Sequence, residues 1–222
     1  MLGINNVING KIIKGNIFAV LLIALLLCVG KSNAESNFVK VDLTKGVTID
    51  LPRNWSVMSD NKRITLDTWK ESVLDANKLT DAENSLPFAA TYYNDRGEVA
   101  GTFAIRFYPN ITVSQPDAIA ADSVFIKELD AGVRDNFTKG YEASGGKLIA
   151  WLGTIKKSIN NSVYFISESR QLSPRGVAMR GILVRYLNSG KSFTIIISYR
   201  EDQEYFLRPI YDRTISSIQM AR

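Results

Sequence analysis

The sequence predicts an α+β domain in which an antiparallel sheet packs against helices. Three observations support this. From Lys147 onward apolar residues recur at every second position for about 50 residues, the period of strands with one buried face. Between Ser114 and Gly140 they recur every three or four positions, as in an amphipathic helix. Asn160-Asn161, Pro174-Arg175-Gly176 and Asn188-Ser189-Gly190 interrupt the strand pattern with residues that tolerate turn backbone angles.

The first 34 residues differ in kind from the rest. Lys11 and Lys14 precede an apolar run of 13 residues from Ile17 to Val29, and Lys31, Ser32, Asn33 and Ala34 follow it. That run is shorter than the roughly 20 residues a spanning helix needs. Ser32 and Ala34 place small residues where signal peptidase accepts them, so residues 1–34 are expected to be a signal peptide cleaved before Glu35. Lipidation at Cys28 is the minor alternative, because Leu27 before it is bulky; a retained N-terminal anchor is the other. Residues 35–222 are then a single domain of 188 residues with no cysteine, held by its core and not by disulfides. Removing Lys11, Lys14 and Lys31 leaves 24 basic against 22 acidic residues, a net charge of +2 in place of +5. So small an excess does not point to nucleic acid.

Phe38 to Leu43 alternates Val39, Val41 and Leu43 with Lys40 and Asp42, and Lys45-Gly46 turns it into a second strand. There Val47, Ile49 and Leu51 alternate with Thr48 and Asp50 until Pro52, which has no N–H for a ladder and forces a corner. Trp55 follows as a large apolar anchor. After the polar run Ser59 to Arg63, the spacing of Leu66, Trp69, Val73, Ala76 and Leu79 predicts an amphipathic helix. Phe88 to Tyr93 and Val99 to Tyr108 flank Asn94-Asp95-Arg96-Gly97, a hairpin loop. Ser114 as N-cap, Pro116 and Asp117 start a helix, and Ile119, Ile126, Leu129, Val133 and Phe137 form its stripe. One long helix is expected, ending near Gly140 or Gly145-Gly146. Four antiparallel strands follow: Lys147 to Ile159, Val163 to Leu172, Val177 to Leu187 and Lys191 to Arg200. The last should lie beside the one before it. A closing helix from about Glu204 turns Leu207, Ile210, Tyr211, Ile215 and Ile218 toward the sheet, with Pro209 tolerable only near its first turn.

The Gly-x-x-Ile-Asp-Leu-Pro-x-x-Trp corner from Gly46 to Trp55, the meander of long strands, and a last strand feeding a helix that ends Ile215-Ser216-Ser217-Ile218 together resemble the PsbP/Mog-like superfamily. That group includes the extrinsic P subunit of photosystem II, the Mog proteins that bind the GTPase Ran, and exported bacterial proteins of the DcrB-like kind. The resemblance implies an antiparallel sheet sandwiched between helices over nearly all of residues 35–222. Its motifs are core features, so it assigns no functional residue to a numbered position. Metal chemistry of the photosystem kind is not implied, since the chain has no histidine, and export separates it from Ran.

Without histidine, and with Cys28 in the leader, the ordinary nucleophile-histidine pairs and His/Cys zinc sites are excluded. Ser59-Asp60-Asn61-Lys62 contains the words of penicillin-binding enzymes, but overlapped in one loop and not on converging elements. Gly190-Lys191-Ser192 resembles the tail of a phosphate loop, yet Arg185 stands where the first glycine is required, so a turn is expected. Asp95 with Glu98 and Glu201 with Asp202 are the nearest carboxylate pairs for acid/base work. Four glycosylation triplets begin at Asn54, Asn110, Asn136 and Asn160 and matter only in a eukaryotic secretory route.

Arginine on strands is the feature least explained by a core. Arg106, Arg170, Arg180, Arg185 and Arg200 are the candidate partner-binding residues. Alternation places Arg106 opposite the Phe103, Ile105, Phe107 face and Arg200 opposite the Phe193, Ile195, Ile197 face, so both should point away from the core. Arg180 and Arg185 differ in parity and cannot share a face without a bulge. A solvated face paired with Glu168 and Glu201 is the bland account; a cationic face for an anionic ligand or acidic partner is the sharper one. On the sharper account, changing Arg106 and Arg200 to Ala leaves folding intact and abolishes partner capture. The expected function is an exported, periplasmic, non-catalytic binding or assembly module of the cell envelope, with an envelope protein as partner. No catalytic residue, metal or cofactor is expected, nor nucleic acid, nor a membrane span after cleavage. The alternatives are a carboxylate-type hydrolase and a small-ligand-binding protein with an apolar pocket lined by Phe125 or Tyr141.

Overall fold

Gly46 adopts a φ of 74°, open to glycine without a Cβ clash, and the Leu43 N–H donates to the Val47 carbonyl at 2.7 Å. This turn joins β1 (Phe38–Asp42) to β2 (Val47–Pro52). The structure is a computed structural model that describes residues 37–43, 46–57, 88–108 and 110–220. It divides into two units, Met1–Val39 and Lys40–Arg222, and residues 37–39 of the first are described. The expected signal peptide, the helix expected over Leu66 to Leu79 and the Ser59-Asp60-Asn61-Lys62 loop lie outside the described residues.

The remaining strands are β3 (Ser56–Val57), β4 (Phe88–Tyr93), β5 (Val99–Tyr108), β6 (Lys147–Ile159), β7 (Ser162–Leu172), β8 (Ala178–Tyr186), β9 (Ser192–Arg200) and β10 (Gln219–Met220). Among the described residues they form a sheet of order β1-β2-β10 and a larger one of order β3-β4-β5-β9-β8-β7-β6. All six neighbour pairings within the larger sheet are antiparallel. The four C-terminal strands begin and end within one residue of their expected bounds. Asn160 and Asn161 both take positive φ (47° and 66°), the two-residue loop that matches strand twist. β9 lies beside β8 as expected, and also beside β5, so the last long strand fills the middle of the sheet.

Both faces of this sheet are covered, as a sandwich requires. On one face Phe103, Ile105, Ile182, Val184, Ile195 and Ile197 meet Leu207, Tyr211 and Ile215 of α3 (Glu204–Ser216) and Val47, Ile49 and Leu51 of β2 in one buried cluster. On the other, Val163 and Phe165 meet Ala118 of α1 (Gln115–Ala120) and Phe125, Ile126 and Leu129 of α2 (Ser123–Ala143). The α+β sandwich is therefore the observed architecture. Trp55 is buried in the corner and stands edge-on to Tyr211 with ring centroids 5.2 Å apart.

Two helical expectations need correction. The single long helix is two helices, broken at Ala121-Asp122. Asp122 caps α2 by accepting from the Phe125 N–H at 2.9 Å, and Lys156 of β6 takes the freed Ala121 carbonyl at 2.6 Å. The break rotates Ile119 off the stripe, leaving it exposed. Pro209 is the sixth residue of α3, well inside the helix. Its missing N–H leaves the Tyr205 carbonyl without its helical donor, and Tyr205 is 99% exposed, so water can serve that carbonyl.

Candidate functional site

The register of the sheet divides the five strand arginines between its faces. Arg170 and Arg180 project to the α3 face, directly opposite one another on β7 and β8. Like charges so placed repel, and Glu201 separates them: its carboxylate accepts from Arg170 Nη2 at 3.0 Å and lies 3.2 Å from Arg180 Nε. Glu204 adds a second contact to Arg180 at 3.2 Å. Glu168, expected to pair with a strand arginine, instead takes both terminal nitrogens of Arg208 from α3, at 2.9 and 3.0 Å. Arg208 also pairs with Asp212 one turn on. This cluster pins α3 to the sheet by charge-assisted bonds.

Arg200 projects to the opposite face, as its parity predicts, and bonds Glu98 at 2.9 Å and Asp202 at 2.8 Å. Glu98, Glu201 and Asp202 of the two proposed carboxylate pairs are thereby engaged by arginine. The hydrogen bond from Arg170 holds the Glu201 carboxyl below its ordinary value, and the one from Arg200 does the same for Asp202. Glu98 additionally accepts from the Asn94 amide at 3.1 Å in the hairpin loop. Gly190-Lys191-Ser192 is a turn, closed by Lys191 N–H to the Asn188 carbonyl at 2.8 Å.

Arg106 is where expectation and structure differ most. It does lie on the face opposite Phe103, Ile105 and Phe107, but that face is not solvent there: Arg106 is 1% exposed. It cannot be a surface contact. Nε and Nη2 have no hydrogen-bond partner among the described residues. Thr194 of β9 pairs with Arg106 on one side and with Arg185 of β8 on the other, so the three residues form a row across the sheet. Arg185 is half-buried, and burial pushes its guanidinium down to about 10, with the Tyr108 phenol as the opposing influence. Its Nη1 donates to Ser167 Oγ at 3.4 Å.

The floor around this row is polar although it is inside. Ser167, Ser169 and Gln171 on β7 and Ser192 and Thr194 on β9 are all buried. Gly181 makes room for it: a Cβ there would lie 2.6 Å from the Gln171 amide nitrogen and 2.7 Å from Ser169 Oγ. Sequence reasoning missed Thr194, Ser167 and Tyr108. The available signal was β7 itself, whose outward positions change from Val163 and Phe165 to Ser167, Ser169 and Gln171. Phe125 packs on Phe165 and Tyr141 stacks on Phe137, with centroids 5.8 and 5.5 Å apart.

The architecture has a solved counterpart. The chain is similar to the solution structure of cyanobacterial PsbP (CyanoP) from Synechocystis sp. PCC 6803, with a TM-score of 0.53 at 13% identity, over 83% of this chain and 93% of that one. The fold is PsbP-like. A crystal structure from Bacteroides thetaiotaomicron is similar at 10% identity over 84% of this chain and 49% of that one, but its TM-score of 0.46 carries no weight. No protein-family model and no curated protein matches the sequence. At 13% identity the PsbP-like likeness speaks to the fold alone.

Proposed function

We propose that this chain is an exported, non-catalytic binding or assembly module of the cell envelope, working on an envelope protein. The observation that carries the reading is the engagement of Glu98, Glu201 and Asp202 by arginine. A carboxylate dyad needs one member kept protonated near neutral pH. Here Glu201 and Asp202 are both pulled the other way by arginine, so neither serves as a proton donor. Among the described residues no group of three or more acidic, histidine or cysteine side chains is placed to hold a metal. The PsbP-like sandwich supports the reading as a scaffold. The N-terminal pattern of Lys11, Lys14, an apolar run and Ser32-Asn33-Ala34 supports export, and no helix among the described residues is long and apolar enough to cross a membrane.

The test is crosslinking in the intact envelope of the host, followed by mass spectrometry and fractionation. A reproducible envelope partner, with the chain beginning at Glu35, is the expected result. Recovery of the chain in the cytoplasm, or turnover of a substrate by the purified protein, would overturn it.

A further inference from the structure

Every other strand arginine has a carboxylate partner: Arg170 and Arg180 share Glu201, and Arg200 holds Glu98 and Asp202. Arg106 and Arg185 form no ion pair among the described residues. Two like charges drawn out of water without a counter-charge are costly, and buried charges are ordinarily paired. Their placement is regular. Thr194 is cross-strand partner to both, so neighbouring strands at about 4.8 Å put the two arginine Cα atoms about 10 Å apart. Arginine side chains can converge on one small ion across that span. Arg106 forms the closed floor, while Arg185 and Tyr108 are half-buried and form the open side. Planar guanidinium forks match the oxygens of carboxylate and phosphate.

We propose that the Arg106, Thr194, Arg185 row is a binding site for a small dianionic oxyanion, a phosphate or a dicarboxylate, held by the two guanidinium groups and the Thr194 hydroxyl. This deepens the reading of the chain as a binding module and rests on it. The bound anion supplies the charge that the described residues around the row do not.

Thermal unfolding of the full chain as its host produces it tests the site, with inorganic phosphate, succinate or sodium chloride added at matched ionic strength. Phosphate or succinate is expected to raise the midpoint saturably and chloride to leave it unchanged; whichever acts identifies a phosphoryl or a carboxylate ligand. Arg185→Gln should abolish the response. Arg106→Met, similar in shape and uncharged, should abolish it too while raising the ligand-free midpoint, because it removes a buried charge with no partner. Equal midpoints in all three salts overturn the site, as does a response that survives both substitutions. An Arg106→Met protein that is less stable, or does not fold, overturns it as well, since that marks a structural arginine. Envelope crosslinks without any anion response would overturn this site and leave the module standing; an anion response without crosslinks would do the reverse.

Discussion

The backbone N–H of Asp50 donates to the Ser217 hydroxyl at 2.8 Å, across 167 residues of chain. That hydroxyl passes its own hydrogen to the Thr214 carbonyl at 2.7 Å, at the end of α3. The two segments that carry the family resemblance, the Pro52 corner and the Ile-Ser-Ser-Ile ending, are thus bonded to each other. β10 continues the join by pairing Gln219 with Thr48 and Met220 with Val47. Asn160, in the β6-β7 turn, closes it from the other side with its amide on the Ser216 and Ile218 carbonyls at 3.1 and 2.9 Å.

Ser217→Ala should therefore destabilise the fold by about 1 to 2 kcal/mol, because Asp50 loses an acceptor and Thr214 a donor at one stroke. Urea unfolding measures it. A midpoint equal to that of the parent would show that water replaces the hydroxyl.

Trp55→Ala should cost on the order of 3 to 5 kcal/mol, since the indole is buried against Tyr211 and Tyr92. A variant of full stability would mean that the corner does not anchor α3.

Gly101→Ala should destabilise by about 1 to 3 kcal/mol. The new Cβ would stand 2.5 Å from the Tyr211 hydroxyl and 3.3 Å from Leu207 Cδ1. Combining it with Tyr211→Phe should recover part of the loss, which a double-mutant cycle detects.

Stability should fall at alkaline pH. Burial pushes Tyr141 up to about 12 and raises Tyr164, Tyr199 and Tyr211 from their ordinary value of 10.0. Above that ordinary value the unfolded chain releases protons that the folded chain retains, so unfolding is favoured as pH rises. The stabilisation is whole below pH 10.0 and declines from there upward. Denaturant midpoints between pH 8 and about 12 test the sign, and Tyr211→Phe should flatten the decline.

The strands were legible because two-residue alternation and turn residues act locally: Asn160-Asn161 and Asn94 to Gly97 specify their hairpins without distant help. The helix break was not, because Ala121 is stopped partly by Lys156, which arrives from another element. Arg106 was half legible. Alternation gives its face correctly, but whether a face is wet depends on what covers it, and that is set by tertiary packing. The polar floor of Ser167, Ser169 and Gln171 was hidden for the same reason: buried serine and exposed serine look alike in a sequence.

The position of β9 has a consequence in time. Ser192–Arg200 pairs with β5 on one side and β8 on the other, and β10 completes the small sheet only after it. A chain emerging from the ribosome carries unpaired edges on β5 and β8 until Ser192–Arg200 has been made, so neither sheet can close early. Such a polypeptide stays threadable through the making of eight strands, and the ninth converts two separate edges into one continuous sheet.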